Sequence, residues 1–595
     1  MMKQRSTMLM PALVSAIAVS LLLFLSSCGG DTTTYGDAGE PVKGDWIIIH
    51  ELSDPEGINP ITTNDASASN INRLVFDGLL MQDWATSELI PNLAVARPTV
   101  SEDHLTYTFV MKDNIRFSDS KPCTSKDVVF SFKAAMNPLV VDAAALRNYY
   151  EDVADVQAPD ERTVVITMIK PYFMAEYQLG DLRVLPKHLM DPKGLTDKYT
   201  FADCRDMSRA QSNAAMQEFA TWFGTPEVRR EPQFNIGTGP WIYEEWKTGE
   251  YVRLKRNDTY WNAANANQWQ KAMADKLVFT VVTDRSTAVV KMKNQEMDFM
   301  DFVPAVKFVE EVDTVSTPHL VKKAYPQSVY TYIGWNMRRP QFSDKRVRRA
   351  LGMLVDREAL IKQVNYGLAS IQNSPLYNTR PEYDKSIAGL KYDPAGAKQL
   401  LAEAGWTDSN GDGVLDKTIN GVRTDFTLTF LLNNGNETRE RIALICVDEF
   451  KKVGIKAGVQ KIDWSVFLET TRRHEFDAYI GSWINDDIPS DPYQIWHSSQ
   501  ASNKGSNMVG FINKRADELM ELNRIEFDEA KRAAYMKEFQ VIVTDEQPYT
   551  FLWAPLNPGV YNRRLQNVQF HTPRPGYLPT EWWVPKGQWK YASAP

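Results

Sequence analysis

The stretch SEDHLTYTFVMKDNIRFSDSKPCTSKDVVFSF, residues 101–132, carries two periodicities in one short run. Across residues 106–111, Tyr107, Phe109 and Met111 fall at every second position, the spacing of a strand with one buried face. Thr124-Ser125-Lys126-Asp127 then has the form of a capping box and opens a helix bearing Val128, Val129 and Phe132. The same alternation continues outward. Val347, Leu351, Leu354 and Val355 recur at helical spacing behind Ser343-Asp344. Asp393-Pro394 starts a helix with Pro at its first position, Leu400, Leu401 and Ala404 form its apolar face, and Gly405 stops it. Strand-like runs lie at residues 164–168, 276–282, 427–432 and 478–483. Helices and strands interleaved without a strict repeat predict an α/β protein. At 595 residues the chain exceeds one core, so two or three domains are expected.

Lys3 and Arg5 precede an apolar, acid-free stretch at residues 8–25 that ends in Leu25-Ser26-Ser27-Cys28. Residues 1–27 thus read as a signal peptide with a lipoprotein cleavage box, and Cys28 as the residue that receives the lipid. A plain transmembrane anchor is the alternative. A lipoprotein with several acyl chains stays anchored where one chain binds only marginally. Residues 28–41, rich in Gly, Thr and Asp, read as a flexible tether. The expected product is a globular body outside the cytoplasm, held to a bacterial membrane at its periplasmic face or at the cell surface.

The net charge of −8 becomes more acidic once Lys3 and Arg5 are removed, which argues against nucleic acid as a partner. Besides Cys28 there remain Cys123, Cys204 and Cys446, an odd number without CxxC spacing, and no disulfide is expected. The 16 Trp suit either large cores or an aromatic-lined cleft. Catalytic signatures are missing: His474-Glu475 lacks the second His of HExxH, and GxSxG does not occur. Gly237-Thr238-Gly239-Pro240 lacks the following Lys-Ser/Thr of a phosphate cradle and reads as a turn. The expectation is a protein that is no enzyme and holds no cofactor. In residues 408–416 the oxygens of Asp408, Asn410, Asp412 and Asp416, with Gly413 at the sixth position, resemble half of an EF-hand loop. Ile419 stands where the bidentate Glu belongs, so a structural calcium site there needs an oxygen from elsewhere.

Taken in order, these segments resemble the family 5 extracellular solute-binding proteins, the oligopeptide- and dipeptide-binding group. The resemblance runs through residues 54–60 (DPEGINP), Val75-Phe76-Asp77-Gly78-Leu79-Leu80, Pro91-Asn92-Leu93-Ala94 and the quoted stretch. It continues through Gly237-Thr238-Gly239-Pro240-Trp241 with Trp246, Gly249, Asn257, Tyr260 and Trp261. Asn336, residues 342–351 (FSDKRVRRAL) and Val355-Asp356-Arg357 follow, then residues 392–406, Asp463-Trp464, Phe476-Asp477, Trp483 and Asp491-Pro492. Cys123 replaces a residue that is usually small and apolar.

The resemblance implies a two-lobed periplasmic-binding-protein fold of the large, three-domain type with a ligand cleft between lobes. Domain I would comprise residues 42–78, 236–326 and 554–595, domain II residues 79–235, and domain III residues 327–553. Hinge strands would lie at residues 329–333 and 549–553. The implied function is that of the substrate-binding component of an ABC importer, a monomer that captures peptides and delivers them to membrane permease subunits. The same scaffold also binds oligosaccharides, nickel complexes or haem, and a surface lipoprotein without transport is a further alternative.

By the same resemblance, Asn64, Asp65 and Ala66 offer backbone groups from one lobe, and Gly481, Ser482 and Trp483 from the other. An ordinary loop and a buried strand are the plain alternatives. Asp486, with Asp487 beside it, is the implied partner of a ligand ammonium, unless both are solvated loop acids. For a ligand carboxylate the sequence offers Arg338, Arg339 and Lys504, each equally at home on a solvated surface.

Overall fold

The computed structural model describes residues 39–63, 65–484, 489–502 and 505–591. Its main sheet has 12 strands. In chain order they are β1 (Trp46–Glu51), β2 (Trp241–Lys247), β3 (Tyr251–Arg256), β4 (Lys276–Val281), β5 (Phe299–Met300), β6 (Leu320–Pro326), β7 (Val329–Trp335), β8 (Ala369–Ile371), β9 (Thr427–Asn433), β10 (Lys456–Ile462), β11 (Ala478–Ile484) and β12 (Tyr549–Asn562). Across the sheet the order is β10-β9-β11-β7-β12-β5-β1-β4-β3-β2, with β6 and β8 also paired to β12.

The 14-residue β12 joins the two lobes. Its first half pairs with β7 and β8, up to Ala369↔Pro555, and its second half pairs with β6 and β5, from Pro326↔Leu556 onward. β6 and β7 are separated only by Gln327 and Ser328, so the chain crosses twice at one level. A register shift at Thr331/Tyr332 marks the β7/β12 pair close to that level.

Each lobe has its own core. Ile47, Ile49 and Phe299 join Tyr107, Phe109, Phe132 and Val164 in the first lobe, while Ile48 and Met300 face the opposite side of the same sheet. In the second lobe β7 alternates: Tyr330 and Tyr332 enter one cluster, Ile333 and Trp335 the other. This period-2 burial is what the sequence runs predict, and the strand expected at residues 106–111 is present as Thr106–Val110, in a four-stranded sheet with Thr99–Val100, Thr163–Met168 and Val153–Gln157.

Helices α1 (Ala66–Val75), α3 (Arg285–Lys293), α4 (Lys345–Met353), α5 (Pro394–Glu403), α6 (Glu437–Lys452) and α7 (Lys514–Ile525) all begin at an Asp or Asn whose side chain accepts a first-turn N–H. The helix of the quoted stretch, α2 (Ser125–Met136), uses its capping box, with the Thr124 N–H donating to Asp127 at 2.8 Å. Cys123, Cys204 and Cys446 are buried and unbridged. Among the described residues no single helix is long and apolar enough to cross a membrane.

The C-terminal tail returns to the first lobe through a buried ionic knot. Arg564 donates twice to Asp298 at 2.6 Å, pairs with Asp45, and donates to the Trp46 carbonyl at 2.8 Å. Two carboxylates on one buried guanidinium fix the tail against β1, because an unmatched partner would be left charged in the core.

Candidate functional site

Strand direction shows which sheet edges face the gap between lobes. β12 runs from the second lobe into the first, and β5 is antiparallel to it, so β5 and its parallel neighbour β1 point their C-terminal ends at the second lobe. α1 starts on that edge. Asp65 caps it, accepting from Ala68 N at 3.0 Å and from Glu56 N at 3.1 Å, so its carboxylate is occupied while Ala66 stays exposed in the first turn. The first turn of a helix leaves backbone N–H groups without intrahelical partners.

On the other wall, β11 pairs with β9 only at Ala478 and Tyr479, while β7 accompanies it to Ile484. From Ile480 onward, one edge of β11 therefore has no ladder partner among the described residues. Gly481 is buried, and a Cβ there would lie 2.8 Å from the Tyr332 ring, so the close approach of that ring requires glycine. Ser482 is exposed and pairs across the strands with Thr331 at 3.0 Å. The Trp483 indole donates to Tyr549 Oη at 3.3 Å. Tyr332 stacks on Tyr549 with centroids 3.8 Å apart, and its hydroxyl meets that of Tyr479 at 2.9 Å. These aromatics make the β11 wall rigid.

Arg439, which sequence reasoning missed, stands beside this wall. It lies in the first turn of α6, directly after β9. Its guanidinium donates to Asn433 at 2.7 Å and sits 5.7 Å from the Trp464 ring and 5.8 Å from Phe467. Among the described residues no carboxylate pairs with it, and burial pulls it below its ordinary range. A cation in the first turn of a helix opposes the helix dipole, and that was the available sequence signal. Arg338 and Arg339 are corrected as carboxylate candidates. They follow the end of β7 that lies away from the crossing at Gln327 and Ser328. Arg338 donates to the Ala501 carbonyl, and Arg339 to the Phe476 carbonyl at 3.1 Å.

The two lobes meet at a small polar latch. Tyr172 Oη donates to Asp491 at 2.8 Å, Arg524 of α7 donates to the same carboxylate oxygen at 2.9 Å, and Phe173 N donates to the Arg524 carbonyl at 2.9 Å. Arg524 also lies over Tyr493, and His104 stacks on Phe527 at 3.5 Å. The Asp491 carboxylate thus reaches the opposite lobe.

The 408–416 loop is organised by its own backbone. Asp408 accepts from Gly411, Asp412 and Gly413 amides, Asp416 accepts from Ser409, and Arg423 pairs with Asp412 at 3.3 Å. Among the described residues no group of three or more His, Cys, Asp or Glu is arranged around a common metal position. Cys28, Asn64, Asp486, Asp487 and Lys504 lie outside the described residues.

Comparison with known proteins accords with this architecture. The family model of the bacterial extracellular solute-binding proteins, family 5, matches residues 88–506. The chain is 31% identical over 600 residues to the oligopeptide-binding protein AppA of Bacillus subtilis, covering 98% of this chain and all of the relative. The solved structure of AppA with a nonapeptide superposes with a TM-score of 0.69 at 27% identity, over 92% of this chain and 100% of that one. NikZ of Campylobacter jejuni with Ni(L-His) superposes with a TM-score of 0.69 at 25% identity, over 91% and 99%. The chain belongs to the family 5 extracellular solute-binding proteins, a family of two-lobed transport proteins whose members bind solutes outside the cytoplasm.

Proposed function

We propose that this protein captures peptides in the interlobe cleft and hands them to the permease of an ABC importer. The single observation that carries this reading is the unpaired edge of β11 beside the carboxylate-free Arg439. An extended peptide adds to an open strand edge through its own amides, and a half-buried guanidinium takes a carboxylate as a two-pronged, charge-assisted pair. Gly481, Ser482 and Trp483 then supply the edge, the first-turn amides at Asp65 and Ala66 and the neighbouring Asn64 meet the ligand from the first lobe, and Asp486 with Asp487 holds its ammonium. Closure swings domain III, residues 327–553, against domains I and II about the crossing between Pro326 and Val329 and near Leu556. Cys28 anchors the protein through the 28–41 tether. The likeness to NikZ, solved with Ni(L-His), keeps a metal–amino-acid complex as the second reading.

Titration calorimetry with peptides of graded length, set against a nickel–histidine complex, tests the proposal. Saturable heat with peptides, lost on amidating the ligand carboxylate and insensitive to amidation in Arg439→Ala, is expected. Heat with the nickel complex alone overturns the peptide reading.

A further inference from the structure

The cleft-facing edge of the first lobe carries a second group of polar side chains that the proposed function leaves unused. Parallel register pairs Ile49 with Phe299; Glu51 and Asp301 each follow two residues later, close enough for the Glu51 charge to act on Asp301. Alternation puts both carboxylates on the face of Ile49 and Phe299. Tyr577 lies on that same face, its ring 4.4 Å from Phe299, and its hydroxyl is buried without a hydrogen-bond partner. α1 orients Glu51 from the other side: Ser67 Oγ and Asn70 Nδ2 each donate to it at 2.9 Å. No side-chain hydrogen bond to the Asp301 carboxylate is present among the described residues, and the two acids remain 7% and 8% accessible, so the place is deep but not sealed.

From this geometry we infer that Glu51, Asp301 and the Tyr577 hydroxyl form a subsite for a basic side chain of the bound ligand, an ammonium or a guanidinium. The inference rests on the peptide reading of the cleft and extends it to side-chain selection. Two carboxylates at neighbouring strand ends, with a phenol oxygen beside them, offer acceptors on several sides of one cation. A buried anion left without a counter-charge is costly, and protonation or a cation relieves it.

The titration behaviour accords with this. Burial raises the Glu51 carboxyl to about 7, with Asp65 adding to the rise and the Asn70 and Ser67 hydrogen bonds opposing it. Burial, then the Glu51 charge, raises Asp301 to about 8 against the partial opposition of Arg285 and Arg574. Tyr325 and Tyr577 are the phenols close enough to feel Asp301. Arg73, which donates to the Arg574 carbonyl, is a further cation close enough to act on Tyr577. Both carboxyls are thus raised toward neutrality, chiefly by burial.

The test uses one peptide that binds, with a lysine walked through its positions, and a norleucine counterpart of each. At one position the lysine peptide should bind the full-length protein roughly 10-fold more tightly than its norleucine counterpart, as a charge-assisted contact implies. Calorimetry of the unaltered protein in buffers of different ionisation enthalpy should show proton release with that lysine peptide and none with norleucine. Glu51→Gln combined with Asp301→Asn should abolish both differences while norleucine peptides still bind. Equal affinities at every position, or no proton release, overturns the subsite and leaves the peptide reading standing. If no peptide binds, the peptide reading falls and the subsite with it.

Discussion

The two walls of the cleft are built on opposite electrostatic plans. The second-lobe wall is an aromatic platform whose Tyr332, Tyr479 and Tyr549 hydroxyls are satisfied among themselves and by Trp483, with the half-buried cation Arg439 beside it. The first-lobe wall carries two buried acids and an unpartnered phenol. The two acids stand on one wall and Arg439 stands beside the other. In the proposed reading a zwitterionic ligand pairs with both walls, and its binding would favour closure. The latch of Tyr172, Asp491 and Arg524 adds only a few hydrogen bonds to that balance.

The comparison breaks most readily at Arg439. Arg439→Ala should weaken peptide binding by roughly 2–5 kcal/mol by calorimetry, with Lys restoring only part because it cannot form the forked pair. Asp486→Asn should cost a comparable ~2–5 kcal/mol if its carboxylate holds the ligand ammonium, and unchanged affinity removes it from that role. The first-lobe wall makes a stability prediction with a definite sign. Folded Glu51 and Asp301 keep protons that the unfolded chain, titrating at 4.5 and 3.8, gives up earlier. Their contribution to stability therefore falls as pH rises from those ordinary values through about 7 and about 8. The ligand-free protein should lose more melting temperature between about pH 5.5 and about pH 8.5 than Glu51→Gln/Asp301→Asn does, and calorimetric scans of both check this. The smallest effect belongs to the latch. Tyr172→Phe should cost about 1 kcal/mol, read in stopped-flow as a several-fold faster ligand release with association little changed.

Much of the scaffold was legible because its signals are local. The alternation of Tyr107, Phe109 and Met111, the Thr124/Asp127 box and the Asp393-Pro394 start each depend on neighbours a few residues away, and each appears in the structure with boundaries shifted by a residue or two. Strands were expected at residues 329–333 and 549–553 and are present within β7 and β12, but the swap of partners at Pro555 and Leu556 along β12 was not legible. The acid pair was invisible in the sequence because the parallel pairing that brings its strands together joins Ile49 to Phe299, 250 positions away, and the latch joins Tyr172 to Asp491 across 319. Arg439 did have a local signal, a cation misplaced against a helix dipole, but a charged first turn reads as a solvated face until Trp464, Phe467 and Asn433 are seen around it.

Native mass spectrometry of the protein purified from its own cells, without unfolding, tests the central claim most directly. A cleft whose two walls bridge a zwitterionic chain predicts a heterogeneous set of short peptide masses that disappears in Arg439→Ala. A single metal complex, a sugar, or the same adducts in wild type and variant would contradict it.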